Sequence, residues 1–144
     1  MSLLDACAII ILVRKLGKDA LSILKGKNTI VLAFFEVGNF IWKERSLKKH
    51  ISLEESLKLV KAFAAVLGAM NVIPPDIEDD MEGIYDIATR TGLTFYDAAY
   101  VYVAKKDGFT LVTEDAELAE KAAQLGVRVQ SVDEFLKALN AAKP

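Results

Sequence analysis

Four carboxylates, Asp5, Glu36, Asp97 and Asp115, stand where acidic side chains can do chemistry. Asp5 follows the apolar pair Leu3-Leu4, Glu36 follows the β-branched run at 29–32, and Asp115 follows Leu111-Val112-Thr113. Asp97 opens a helical stretch that is apolar almost all round, residues 98–104. Carboxylates gathered in a low-dielectric cleft repel one another, so either their pKa values rise or a cation neutralises them. A donor set made of oxygen suits a hard ion, Mg2+ or Mn2+. Each acid also has an ordinary structural explanation. Asp5 and Asp115 can cap the helices that follow them, Thr94 and Asp97 have capping-box spacing, and Glu36 can be an exposed first-turn acid. The large apolar neighbours of Glu36 (Phe34, Phe35, Val37) and of Asp97 (Phe95, Tyr96) favour a shared site, because a part-buried charge needs a partner.

Positioning these groups requires strands that end beside one another. Residues 2–4, 29–32, 71–73, 110–113 and 127–130 read as short apolar strands, the third ended by Pro74-Pro75. Between them lie helical periods at 6–16, 18–24, 33–50, 52–70, 76–91, 94–106, 116–125 and 132–139. Ser52 and Glu55 form a capping box, Ser131 caps the last helix, and Gly92 and Gly108 stand where left-handed residues close helices. Phe34, Val37, Ile41 and Trp42 are expected on one helix face and Leu57, Val60, Ala64 and Leu67 on another. Phe34, Phe35, Phe40 and Trp42 are more apolar surface than a small monomer easily buries, unless they are core. Strands alternating with helices indicate an α/β fold, a central parallel sheet flanked by helices in three layers. Function in such sheets collects at the C-terminal ends of the strands. The four acids converge if the first and fourth strands are neighbours.

Length and composition agree with one domain over residues 1–144, and 53% apolar content is enough to build a core. One cysteine and one histidine exclude a disulfide framework and the usual zinc sites. Cys7 reads as a small core filler. No secretory leader or membrane-spanning run is evident, so a soluble, cytoplasmic protein is expected. The net charge of −2 hides an asymmetry. Residues 1–61 hold eleven Lys and Arg against six Asp and Glu, whereas residues 62–144 hold seven against fourteen. Arg14, Lys15, Lys43, Arg45, Lys48 and Lys49 could steer an anionic substrate towards an acidic site, or simply form solvated helix faces.

Four segments together resemble one family. Leu3-Leu4-Asp5-Ala6-Cys7-Ala8-Ile9-Ile10 resembles the first motif of VapC-type PIN-domain proteins, and Phe35-Glu36-Val37-Gly38-Asn39 the second. Phe95-Tyr96-Asp97-Ala98-Ala99-Tyr100 resembles the third, and Leu111-Val112-Thr113-Glu114-Asp115 the fourth. Their order and spacing match along nearly the whole chain. The resemblance implies a PIN-like fold and a metal-dependent ribonuclease in which Asp5, Glu36, Asp97 and Asp115 hold one or two Mg2+ or Mn2+ ions. It implies that Thr113 supports Asp115 or a bound water. It also implies that Asn39 hydrogen-bonds near the site, a residue that could equally be a buried polar group. An RNA substrate, a small antitoxin partner and homodimerisation are implied in the same way. The chain departs from the pattern at Ala6 and Cys7, where a hydroxyl is frequent. A non-catalytic RNA-binding module with the same fold is the alternative. Other enzymes on similar sheets fit poorly: Cys7 stands where a haloacid-dehalogenase-type phosphatase needs its second Asp, and no G-x-G-x-x-G follows the first strand.

Overall fold

Leu3 and Leu4 point to opposite sides of strand β1 (Ser2–Leu4), and each is wholly buried in a different apolar cluster. That alternation explains the layers of the computed structural model, which describes residues 1–142. Helices α1 (Ala6–Leu16), α2 (Ala20–Leu24), α3 (Val31–Trp42), α4 (Leu53–Ala69) and α8 (Val132–Ala141) contribute to the cluster on the Leu4 side. Helices α5 (Ile77–Thr91), α6 (Phe95–Asp107) and α7 (Ala116–Gln124) contribute to the Leu3 side. Each fully buried leucine of this kind stabilises the fold by roughly 1.5–3 kcal/mol.

Strands β2 (Asn28–Ile30), β3 (Asn71–Ile73), β4 (Thr110–Val112) and β5 (Val129–Gln130) complete a parallel sheet of order β3-β2-β1-β4-β5. The expected α/β architecture and the neighbouring first and fourth strands are therefore present. From β1 the chain winds one way to β2 and β3, then crosses back to start again at β4. The gap between β1 and β4 is a topological switch point, with Leu4 level with Val112. Buried polar groups near β2 are satisfied: Thr29 donates to the Leu4 carbonyl at 2.8 Å and Asn28 to that of Ser2 at 3.0 Å.

The helix faces depart from expectation. α3 begins at Val31, directly after β2, and buries Ala33, Val37 and Ile41, whereas Phe34 and Trp42 are exposed. α4 buries Phe63, Val66 and Leu67 and leaves Leu57 and Val60 exposed. No helix among the described residues is long and apolar enough to cross a membrane.

Candidate active site

Asp5 is the first residue past β1 and caps α1, its Oδ1 accepting the N–H of Ala8 at 2.8 Å. Its Oδ2 accepts the hydroxyl of Thr113, the residue after β4. Thr113 Oγ1 in turn accepts the N–H of Asp115 at 3.1 Å, and Asp115 caps α7 through Leu118. The capping role expected of Asp5 and Asp115 is real, and it coexists with a place in the cleft. Glu36 sits in the second turn of α3, not the first, because that helix starts early. Its Oε1 accepts the hydroxyl of Tyr100 at 2.7 Å. Asp97 lies in the first turn of α6, its N–H bonded to the Thr94 cap at 3.1 Å.

The four acids line one cleft of about 400 Å³ at the switch point, together with Asn39. Lys43 and Lys48 also line it. Two further residues there were not legible as site residues. Tyr100 reads in the sequence as part of an apolar helix, yet its position three residues after Asp97 puts both on one face. Cys7 is an exposed cleft residue rather than core filler, because it is the outward-facing position of α1 beside Asp5. Glu114, adjacent to Asp115, turns away and accepts the N–H of Val132 at 2.6 Å.

Electrostatics link the four groups in a ring. Burial lifts the Asp5 pKa to about 6; its bonds to Thr113 and Ala8 oppose that rise, and Glu36 and Asp115 add to it. Burial likewise raises Glu36, against the Tyr100 bond and with Asp97 adding to it. Burial, then Asp115 and Glu117, raise Asp97. Partial desolvation in the cleft raises the pKa of the Cys7 thiol, and burial raises that of the Tyr100 phenol, each reinforced by nearby carboxylates. Among the described residues no three His, Cys, Asp or Glu side chains are placed to grip one ion together. Three of the acids are engaged in hydrogen bonds: Asp5 with Thr113 and Ala8, Glu36 with Tyr100, and Asp115 with the Leu118 N–H at the start of its helix. The donor set is nonetheless that of a hard divalent cation, four carboxylates whose mutual repulsion a cation would relieve.

Comparison with known proteins bears on this arrangement. A family model described as PIN domain matches residues 2–124. The chain is 39% identical over 92 residues to Exonuclease VapC9 of Pyrobaculum aerophilum, a match spanning 62% of each chain. It is 32% identical over 107 residues to Ribonuclease VapC3 of the same organism, covering 73% of this chain and 78% of that relative. Among solved structures, PAE2754 from Pyrobaculum aerophilum superposes with a TM-score of 0.77 at 29% identity, over 97% of this chain and 95% of its own. FitAcB from Neisseria gonorrhoeae gives a TM-score of 0.57 at 19% identity, over 92% and 98%, and shares the fold.

Proposed function

The chain belongs to the PIN-domain family, and from that membership we propose that it is a metal-dependent ribonuclease, the cytoplasmic toxin of a VapBC-type toxin–antitoxin pair. The observation that carries this reading is the convergence of Asp5, Glu36, Asp97 and Asp115 on one cleft at the switch point. The nuclease names of two relatives support it. These four acids would hold Mg2+ or Mn2+, which when bound lowers the pKa of a water and neutralises charge on the phosphate. The chain's own groups do the rest. Thr113 and the Ala8 amide orient Asp5, and Tyr100 orients Glu36. A carboxylate of the four not engaged by the metal would accept a proton from the attacking water. Single-turnover cleavage of labelled RNA tests the reading: EDTA and Asp97→Asn should each abolish it. Cleavage that survives EDTA, or full activity in Asp97→Asn, rejects it.

The partner reading rests on exposed aromatic surface. Phe34, Phe35 and Trp42 are 61%, 62% and 51% exposed, and with Val60, Phe63 and Leu67 they line a groove between α3 and α4. An amphipathic segment of an antitoxin fits such a groove. Coexpression with the product of an adjacent short reading frame should give a complex that Trp42→Arg weakens at least tenfold. Met81 and Tyr85 on α5 and Tyr96 on α6 are also exposed, and such apolar surface supports homodimerisation. Sedimentation showing only monomer at micromolar concentration would reject that part.

A further inference from the structure

After α3 the chain makes a five-residue π turn, Lys43–Leu47, in which the N–H of Lys48 bonds to the carbonyl of Lys43 at 2.9 Å. In an α-helix, residues five apart point about 140° away from each other at about 100° per residue. The i→i+5 closure instead sets Lys48 over Lys43. Both lysines accordingly line the acidic cleft. Lys43 continues the face of α3 that carries Glu36, Asn39 and Phe40, at the helical spacing i, i+3, i+4, i+7. Among the described residues Lys43 pairs with no carboxylate, although four share its cleft. Lys48 is steadied by Glu44 at 3.4 Å, and Glu44 also bonds His50 at 3.0 Å. Lys49, the next residue, takes a left-handed backbone with φ 54° and lies outside the cleft lining.

Core packing does not account for this turn. It buries no residue and contains neither Gly nor Pro; it closes α3 as a wide helix end, with Lys49 left-handed and the N–H of His50 bonded to the carbonyl of Glu44 at 2.9 Å. A π turn is a rare helix form that occurs frequently at functional sites, and this one borders the cleft.

We propose that Lys43 and Lys48 form a two-ammonium clamp on an RNA phosphate beside the acidic pocket, and that the π turn serves to bring both onto one side. The clamp rests on the ribonuclease reading for its substrate and adds to it the residues that bind that substrate. A cleft lined by acids repels a polyanion, and two cations in its lining offset that repulsion. They act on a phosphate that does not react, so they stabilise ground and transition states alike.

The test uses the full chain, a fluorescent single-stranded oligoribonucleotide and Mg2+ or Mn2+. Lys43→Ala and Lys48→Ala should each raise KM about tenfold, leave kcat within about twofold, and lower the salt slope of binding by about 0.7. Lys49→Asn removes the same charge one position away and suits the left-handed backbone, so KM should stay within about twofold. Equal effects of Lys48→Ala and Lys49→Asn would show diffuse charge and overturn the clamp. Unchanged KM in the Lys43 and Lys48 variants, or a wild type that binds no RNA, would also overturn it. Binding read by anisotropy separates this from the nuclease reading. If wild type binds RNA without cutting it, the nuclease reading fails, while an about tenfold binding loss confined to Lys43→Ala and Lys48→Ala still upholds the clamp.

Discussion

The hydroxyl of Thr113 donates to Asp5 Oδ2 while accepting the N–H of Asp115, so one side chain just past β4 fixes two acids at the ends of neighbouring strands. Thr113 is 3% exposed, so water cannot replace the lost bonds if the hydroxyl is removed. Thr113→Val keeps the shape and deletes both bonds. It should cost about 10–100-fold in single-turnover cleavage, the range seen when a group orienting metal ligands is lost. Thr113→Ser should retain most activity. Equal rates for wild type and Thr113→Val would show that Asp5 needs no such anchor.

Tyr100 stands to Glu36 as Thr113 stands to Asp5, through a bond of 2.7 Å. That bond lowers the Glu36 pKa against the rise caused by burial. In Tyr100→Phe the Glu36 pKa should rise further, moving the acidic limb of the pH–rate profile to higher pH. Activity lost near neutrality should then return in part under more alkaline conditions. A uniform loss at every pH would assign Tyr100 a packing role only.

Gly83 on α5 faces the ring of Tyr102 on α6 so closely that a Cβ there would lie 2.2 Å from Tyr102 Cε1. The ring cannot swing away freely, because Lys106 bridges it (5.8 Å) to Asp80 (3.0 Å). Gly83→Ala should therefore destabilise the fold by about 1–3 kcal/mol despite alanine's better helix propensity. Turnover should be unchanged, since none of these residues lines the cleft. Tyr102→Ala in the same chain should remove most of the added cost, as thermal melts of the single and double variants would show.

Most strands and capped helix ends were legible in the sequence because their signals are local, but the expected strand at 29–32 and helix at 33–50 are β2 ending at Ile30 and α3 starting at Val31. The pairs Leu3-Leu4 and Leu111-Val112 serve both faces of one sheet, and the caps at Thr94, Ser52 and Ser131 occur as expected. The acids were legible for the same reason, since strand ends locate Asp5 and Asp115. Helix rotation was not. α3 is apolar on nearly every side, so periodicity could not separate the core face of Val37 and Ile41 from the exposed Phe34 and Trp42. Tyr100 escaped because its value lies in a hydrogen bond to a residue 64 positions away. The π turn escaped because nothing in Lys43–Leu47 distinguishes it from an α-helix.

Burial makes Asp5 a source of pH-dependent instability in the metal-free protein. Its pKa is about 6 in the folded state against 3.8 for the unperturbed group. Between those values the native state holds a proton that the unfolded chain has released, so stability falls as pH rises through the window. Above about 6 the cost is fully present, on the order of 3 kcal/mol at about 1.4 kcal/mol per unit. Burial raises Glu36 and Asp97 in the same direction, whereas Asp80, held low by the Asp76 amide and Lys106, loses stability on acidification. Wild type alone would mix these trends, and the difference from Asp5→Asn isolates one group. In EDTA, Asp5→Asn should melt about 10 °C above wild type near pH 7.5, with the gap closing towards pH 4 as Asp5 in wild type is protonated. Mg2+ or Mn2+ should reverse the order at neutral pH by stabilising wild type more than the variant. A gap that is constant with pH, or that widens on acidification, would mean that Asp5 is not held at a raised pKa in the folded protein.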